Sequence, residues 1–210
     1  MSHTINIKRD PFGHASTGKL AMWLFLAMDA LTFGVILAGG IYYRLRTDQW
    51  PDAGQVLNIP LTSFNTFLLI MTSFTMVMAL NELKMDNQKK FKTFILITIV
   101  GGISFLGIQV YEYYHFIKGG PELGKALNDY GFSEASLLWT SGSFGSTFYA
   151  TTAFHGLHVF TGVVYLSVIL YQANKGIYTS KNYDRVEIAG LFWHFVDLVW
   201  ILVFTIIYLI

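Results

Sequence analysis

Long apolar stretches separated by short polar connections dominate this 210-residue chain. Five of them reach the roughly 20 apolar residues that a helix needs to cross a bilayer. The pattern therefore predicts an all-α, polytopic membrane bundle of five transmembrane helices, with residues 1–210 forming one domain. The fourth stretch exceeds a single crossing, so its helix must tilt, break or project. The predicted spans are Leu20–Tyr43, Leu61–Leu83, Phe91–Ile117, Leu137–Ala173 and Glu187–Ile210.

Basic residues collect on one side of the predicted bundle. Ten of the fourteen Lys and Arg residues lie in the N-terminal tail, between spans two and three, or between spans four and five. Cytoplasmic loops are enriched in positive charge, which predicts a cytoplasmic N-terminus and a periplasmic C-terminus. The tail Met1–Lys19 is polar and precedes a stretch long enough to span, so we expect no cleavable signal peptide.

Composition narrows the functional classes. Of the residues in this chain, 53% are hydrophobic and 13% are charged. In soluble domains about a quarter of all residues are charged. A net charge of +1 without a basic stripe argues against a nucleic-acid partner. The chain has no cysteine, which excludes disulfides, thiolate iron–sulfur ligation and a thiolate copper site on this chain.

Two polar pairs interrupt the last two apolar stretches. His155 and His158 lie three residues apart, and so do His194 and Asp197. Residues three apart share a helix face, so each pair is expected to project in one direction. The two histidines could bind a metal or heme. The absence of facing Glu-x-x-His pairs and of further ligands on that span favours hydrogen bonds between helices instead.

Two carboxylates also lie in apolar surroundings. Asp29 is near the middle of the first span, with no charge within one turn. A proton-accessible or lipid-contacting site fits this residue, and so does a buried acid that bonds to a neighbouring helix. Glu112 is near the outer end of the third span, where it could contact a partner. Because Asp29 and the two polar pairs fall at similar depth, they suggest one polar layer across the bundle.

Small residues predict where helices pack closely. Gly142, Ser146, Ala150 and Ala153 form a stripe in the fourth span, and Gly101–Gly102 is a second such site in the third. No phosphate-binding loop, no nucleophile with a placed base and no zinc motif is present. The chain alone therefore has no expected active site or metal site.

Four motifs make the chain resemble subunit III of the heme–copper terminal oxidases. They are FYATTAFHGLHV at 148–159, WHFVDLVW at 193–200, QVYEY at 109–113 and WLFLAMDALTF at 23–33. They lie in four of the five spans, in the family's order. The resemblance is to the five-helix form of the family, which lacks the first two of seven helices.

The resemblance implies a non-catalytic subunit of a proton-pumping, oxygen-reducing oxidase in the bacterial inner membrane. Heme and copper would lie on partner subunits, and this chain would bind subunit I, with subunit II and optionally a small subunit IV. The family also binds phospholipid in a cleft and supports proton uptake. The electron donor, cytochrome c or quinol, stays open.

Carried over by position, the resemblance implies roles for particular residues. Asp29 takes the place of the family's membrane-embedded acid, and Glu112 is the acid of the QVYEY stretch. Gln172 stands where longer relatives have a basic lipid-contacting residue, and Lys175 lies nearby. The candidates for lipid binding or proton support are Asp29, Glu112, His155, His158, Lys175, His194 and Asp197.

Two other functions fit the composition. An ion-coupled transporter would use the intramembrane Asp and His residues as its coupling site, but the chain has no inverted repeat and an odd number of spans. A pure assembly scaffold would need neither protons nor lipid. Loss of a scaffold would lower the yield of its complex, whereas loss of a supporting subunit would leave a complex that inactivates during turnover.

Overall fold

The computed structural model describes residues 16–47, 50–131 and 136–210. Within these ranges the chain forms seven α-helices, of which five are long and apolar enough to cross a membrane. This confirms the predicted all-α membrane bundle with five spans. The helices are α1 (Thr17–Arg46), α2 (Ala53–Val56), α3 (Ile59–Lys84), α4 (Gln88–Lys118), α5 (Pro121–Asn128), α6 (Gly142–Asn174) and α7 (Asp184–Phe204), which continues as a π-helical segment, Thr205–Leu209.

Polar side chains cap the N-termini of three long helices. Ser16 Oγ accepts from the Lys19 N–H at the start of α1. Asn58 and Asn87 accept in the same way from the third residue after them, at the starts of α3 and α4. Such caps bind backbone N–H groups that have no partner inside the helix. They explain why each of these helices begins in a polar connection, before its apolar stretch.

The fourth span begins later than predicted. Leu137 and Leu138 lie in an irregular segment before α6, where Ser141 Oγ accepts from the Leu138 N–H at 2.9 Å. The Leu137 N–H donates to Phe116 O at the end of α4, so this apolar residue is buried without being helical. The remaining 33 residues of α6 still correspond to about 50 Å of helix, longer than one perpendicular crossing.

The sequence did not predict two short helices, α2 and α5. They lie in the connections at the end of the bundle opposite the start of α1. Gly and Pro around residue 120 suggested only a loop. Pro121 instead begins α5, where its missing N–H is tolerated. Leu123 and Leu127, one turn apart, are both buried and hold α5 against the bundle.

Trp193 of α7 lies at the centre of the bundle, in a slot between two glycines. A Cβ added to Gly102 of α4 would lie 2.7 Å from the indole, and one added to Gly162 of α6 would lie 2.9 Å from it. The close packing predicted at Gly101–Gly102 is therefore confirmed. Only residues without a side chain let α4 and α6 approach this ring.

The packing stripe predicted along α6 is wrong. Gly142, Ser146, Ala150 and Ala153 are all exposed on the outer surface of the bundle. The buried small residues of α6 include Gly145, Gly156 and Gly162 on another face. Every face of a membrane helix is apolar, so composition alone did not show which small residues face neighbouring helices.

An ion-pair cluster joins the start of α1 to the start of α7. Lys19 Nζ lies 3.1 Å from Asp184 Oδ1 and 2.8 Å from Glu187 Oε2. Ser16 Oγ donates to Asp184 Oδ2 at 2.6 Å. Both helices therefore begin at the same end of the bundle.

Asp86 joins two connections at that end. Its carboxylate accepts from the Ser180 hydroxyl at 2.7 Å and from the Ser180 N–H at 2.9 Å. The bond from the Ser180 hydroxyl is the main reason why the pKa of Asp86 lies below its usual value, and the bond from the Ser180 N–H adds to it.

We call the end of the bundle at which α1 and α7 begin the basic end, because most described basic residues lie there. They are Lys19, Lys84, Lys89, Lys90, Lys92, Lys175, Lys181 and Arg185. Two tail residues used in the orientation prediction, Lys8 and Arg9, lie outside the described residues.

Candidate functional site

Asp29 and His158 meet between α1 and α6. Asp29 Oδ2 lies 3.2 Å from His158 Nε2, and both side chains are largely buried. The contact has the distance of an ion pair, without the alignment of a hydrogen bond. The rings of Phe33 and Phe154 pack on the imidazole at centroid distances of 5.2 and 4.7 Å. The isolated acid of the sequence thus has a histidine partner.

The other ring nitrogen of His158 determines what the pair can do. His158 Nδ1 lies 2.8 Å from Phe154 O. A carbonyl oxygen only accepts, so Nδ1 carries a hydrogen and Nε2 is free to gain or lose one. An ionised Asp29 beside a neutral imidazole would bury an uncompensated charge, which is costly. The contact thus sets the imidazole nitrogen beside the carboxyl group in an otherwise apolar part of the bundle.

His155 has quite different surroundings, although it is only one turn away. It is fully buried, and neither ring nitrogen has a hydrogen-bond partner. Its ring lies 4.8 Å from that of Trp200 and 5.7 Å from that of Phe105, measured between centroids. The hydrogen bond across helices that we expected for His155 is absent from the described residues. Aromatic packing takes its place.

His194 bonds to α3, not to its neighbour in the motif. His194 Nδ1 lies 2.5 Å from Ser73 Oγ. Asp197, one turn further along α7, is 5% exposed, and neither carboxylate oxygen has a hydrogen-bond partner among the described residues. Ser73 also lies near this carboxyl, but its hydroxyl is aligned with the imidazole.

The polar groups form two separate contacts and not one layer. Asp29 and His158 lie between α1 and α6, whereas His194 and Ser73 lie between α7 and α3. No hydrogen bond among the described residues connects them. Many side chains in a bundle lie at the same depth in the membrane, but each faces only one neighbouring helix. Similar depth therefore did not show whether the polar groups bond to one another.

Glu112 is enclosed, and the predicted partner contact is wrong. Its side chain is 6% exposed. Oε1 accepts from Thr62 Oγ1 at 3.1 Å, and Oε2 accepts from Tyr208 OH at 3.0 Å. The carboxyl thereby ties α4 to the start of α3 and to the C-terminal π-helical segment.

The other polar residues of the QVYEY stretch bind α6. Gln109 Nε2 donates to Thr152 O at 2.7 Å. Tyr113 OH lies 2.6 Å from Thr152 Oγ1 and also accepts from Gln109 Nε2. Gly156 makes room for this amide, since an added Cβ would lie 2.8 Å from Gln109 Oε1. Residues 109, 112 and 113 thus connect one helix to three neighbouring elements.

Lys175 lies at the basic end and apart from the buried groups. It follows the last residue of α6, is exposed, and places Nζ 4.4 Å from the centre of the Tyr171 ring. Gln172 accepts from Tyr178 OH at 2.5 Å. Of the seven candidates, the structure brings together only Asp29 and His158. In the described ranges, no group of three or more His, Cys, Asp or Glu side chains could hold a metal ion.

Similarity to known proteins places this geometry in a family. A sequence model of cytochrome c oxidase subunit III matches residues 124–210. Cytochrome c oxidase subunit 3 of Alkalihalophilus pseudofirmus is 31% identical over 90% of this chain and 85% of its own length. The chain belongs to the cytochrome c oxidase subunit III family.

Other relatives in this family carry two different names. Cytochrome c oxidase subunit 3 of Thermostichus vulcanus is 31% identical over 93% of this chain and 89% of its own length. A probable quinol oxidase subunit 3 of Staphylococcus saprophyticus is 29% identical over 100% of this chain and 97% of its own length. The chain is thus similar both to proteins named as subunit 3 of a cytochrome c oxidase and to proteins named as subunit 3 of a quinol oxidase.

In this subunit III chain, the hydroxyl residues of α3 were missed by the sequence analysis. Thr72 Oγ1 accepts from Trp193 Nε1 at 3.1 Å, and Thr66 Oγ1 accepts from Trp200 Nε1 at 2.9 Å. With Ser73, these residues anchor the WHFVDLVW motif. A signal was present, since hydroxyl residues recur along α3 at helical spacing.

Proposed function

We propose that this chain is a non-catalytic subunit III of a proton-pumping heme–copper terminal oxidase in a bacterial inner membrane. In this proposal, residues 1–210 form one membrane domain that packs on catalytic subunit I, near subunit II and, where present, a small subunit IV. Heme and copper lie on those partners. The chain supports the catalytic subunit by packing, by binding lipid and by keeping a proton site in the membrane.

The observation that carries the proton role is the Asp29–His158 contact. A carboxyl oxygen and an imidazole nitrogen lie 3.2 Å apart inside an apolar bundle, and we infer that this pair can exchange a proton. Such groups are costly in a membrane and are retained mainly where they serve a function. The oxidase family membership supplies the context in which a proton site would be used.

The lipid role is proposed for the basic end. Lys175 is exposed there among other cations, and its Nζ lies over the Tyr171 ring. A basic surface at the cytoplasmic membrane interface would attract anionic headgroups. His155, Asp197 and Glu112 are buried inside the bundle, and His194 is partly buried. We propose that these four residues support the two functions by fixing the packing of α3, α4, α6 and α7.

Purification of the tagged chain in mild detergent tests membership of an oxidase. We expect heme absorption bands and a large histidine-rich membrane subunit to accompany it. The heme type and the presence or absence of a copper-bearing partner domain would then separate cytochrome c oxidase from quinol oxidase, the alternative that the staphylococcal relative favours. A colourless, solitary and stable chain would contradict the proposal and favour the transporter.

Replacement of Asp29 by Asn tests the proton role in the intact complex. We expect slower proton uptake and a shorter lifetime during turnover, with subunit composition unchanged. Asp129→Asn makes the same chemical change at an exposed residue outside the spans and should leave both properties as in the wild type. Unchanged uptake and lifetime in Asp29→Asn would contradict a proton role for this pair.

Single cysteines test the proposed orientation, because the chain contains none of its own. We expect Lys89→Cys, at the basic end, to react with an impermeant thiol reagent only in inverted vesicles. Lys125→Cys, in α5, should react only from the periplasmic side of intact spheroplasts. The reverse pattern would invert the proposed topology while leaving the fold unaffected.

A further inference from the structure

The outer face of α7 forms the floor of a groove between α1 and α3. Both of these helices pack against α7, but they make few contacts with each other. The opposite face of α7 is buried in the bundle. The described part of the bundle leaves one stripe of α7 half-buried or exposed, so a neighbour in the membrane can reach it. Its members lie three or four residues apart and include Leu191, His194, Leu198 and Leu202.

Apolar side chains form the walls of this groove. On α1, the exposed ring of Phe25 lies 6.3 Å from that of Phe192 of α7, measured between centroids. On α3, Ile70 and Val77 are exposed and share a helix face with Ser73, three residues before it and four after it. Such walls fit lipid and a transmembrane helix equally well, so they do not by themselves identify the occupant.

His194 gives the groove a polar group deep in the membrane. Its Nδ1 bonds to Ser73 Oγ, whereas Nε2 has no hydrogen-bond partner among the described residues and is not enclosed by them. α7 begins at Asp184, so His194 lies about 15 Å along the helix at a rise of about 1.5 Å per residue. This places the imidazole in the hydrocarbon core, which is about 30 Å thick.

Three exposed hydroxyl groups on other spans differ from His194 in this respect. Thr32 of α1, Ser104 of α4 and Thr161 of α6 each donate to the carbonyl oxygen four residues earlier in their own helix. Their exposure to the membrane therefore requires no partner. The bond to Ser73 uses one nitrogen of His194 and leaves the other without a bond inside the described bundle.

We propose that this groove receives a transmembrane helix of another oxidase subunit, with a hydrogen-bonding side chain opposite His194 Nε2. An unpaired imidazole nitrogen is costly in hydrocarbon. Acyl chains offer no hydrogen bond, and lipid headgroups lie at the level of the helix ends. A helix supplies both apolar contacts and a polar side chain at this depth. The assignment rests on the proposed membership of an oxidase complex and adds the face of this chain that the complex uses.

A photoreactive residue at position 198 of the intact complex, irradiated in native membranes, identifies the occupant. We expect an adduct with a polypeptide that copurifies with the tagged chain in a heme-containing complex. The matched control is the same probe at Phe160, which is exposed on α6 at a similar depth, since Gly162 lies beside Trp193. An adduct at position 198 with lipid alone would overturn the proposal. So would labelling at position 160 without any adduct at position 198.

Failure of this inference and failure of the proposed function give different results. If heme and partner subunits copurify with the chain but position 198 labels only lipid, the oxidase function stands and the complex uses another face. A colourless, solitary chain would contradict the oxidase function, and the inference with it.

Variants of His194 test the polar contact. His194→Leu should raise the apparent dissociation constant of the chain from the solubilised complex by up to about tenfold, the range of hydrogen bonds between membrane helices. A dilution series followed by mass photometry measures it. His194→Gln keeps a donor and an acceptor and should recover part of the loss. His115→Leu is the control, because His115 is exposed near the outer end of α4. Equal constants for the two leucine variants would contradict the contact.

Ser73→Ala separates the partner contact from packing inside the chain. It removes the bond to Nδ1 but leaves His194 Nε2 in the groove, so the dissociation constant should change less than in His194→Leu. An equal change would show that the effect of His194 arises within this chain, and would overturn the role of Nε2. The comparison of positions 198 and 160 remains decisive if a His194 variant does not fold.

Discussion

The seam between α3 and α7 and the seam between α1 and its neighbours hold this bundle together in different ways. Across the first, two indoles donate to Thr66 and Thr72, and Ser73 bonds to His194. Across the membrane-embedded part of the second, the polar contact is Asp29 with His158. α1 also exposes most of its surface, with Leu31 and Val35 each 73% exposed.

The difference separates a fixed core from a peripheral helix. Helices α3, α4 and α6 surround Trp193 of α7, and the ring lies so close to α4 and α6 that only glycine fits at Gly102 and Gly162. α1 is attached mainly along one face and by its ion-pair cluster at the basic end. Substitutions in the first seam should therefore disturb the fold, whereas changes at Asp29 should alter the properties of the pair with less effect on the fold.

Trp193→Ala should have the largest effect on stability. The substitution removes a fully buried ring together with its hydrogen bond to Thr72, and we expect a loss of about 3–5 kcal/mol in the free energy of unfolding. Trp139→Ala is the control, because Trp139 is 71% exposed. Unfolding in increasing sodium dodecyl sulfate, followed by circular dichroism, measures both. Similar losses in the two variants would show that Trp193 is not the packing centre.

Gly102→Ala should come next. The added methyl group would collide with the Trp193 ring and Val163, which we expect to cost about 1–3 kcal/mol. Gly107→Ala makes the same change in the same helix, where nothing lies within 4 Å, and should be neutral or stabilising because alanine favours helix. The same unfolding measurement applies. Equal stability of the two variants would mean that α4 can move away from the indole.

Removal of the Asp29–His158 contact should have a smaller effect on stability. Polar contacts between membrane helices contribute about 0.6–1.7 kcal/mol, so Asp29→Leu and His158→Leu should each lose about 1 kcal/mol. The double variant should lose less than the sum, because neither partner is then left unpaired. Strict additivity in this double-mutant cycle would indicate that the 3.2 Å contact does not couple the two helices.

The smallest effect is expected at Asp86, outside both seams. Its pKa is lowered by the bonds from Ser180, so the folded state binds fewer protons, and the contact is complete above the ordinary Asp value of about 3.9. It should be lost as the pH falls through the lower folded-state pKa. Hydrogen exchange of the Ser180 N–H, corrected for its intrinsic pH dependence, should show protection that disappears only below about pH 4. In Asp86→Ala this protection should be weak at every pH. Protection in the wild type that does not change with pH would contradict the role of the Asp86–Ser180 hydrogen bonds.

Much of the fold was predictable because the membrane imposes simple requirements. The five long apolar stretches predicted five spans, and the four motifs predicted the family, which the comparisons confirm. Errors arose where a contact, rather than a composition, decides the outcome. Leu137 and Leu138 have the composition of a span, yet bonds from the Leu137 N–H to Phe116 O and from the Leu138 N–H to Ser141 Oγ hold them in an irregular segment before α6.

The candidate site was predictable as a set of residues but not as contacts. Asp29, His158, His194 and Asp197 stood out because charges are rare in apolar helices. The sequence did not show that Asp29 pairs with His158, since they lie on helices far apart in the chain. It also did not show that Ser73 binds His194, because a serine in a membrane helix is unremarkable by itself.

By itself, the sequence determined the number and approximate position of the spanning helices, the end of the bundle that is basic, and the family. These properties follow from local composition and from motifs that lie along single helices. Only the tertiary structure decided which face of each helix is inside and which polar groups meet. In a membrane both lipid and protein neighbours are apolar, so the pattern of hydrophobic residues does not separate them, and close packing and hydrogen bonds make the choice.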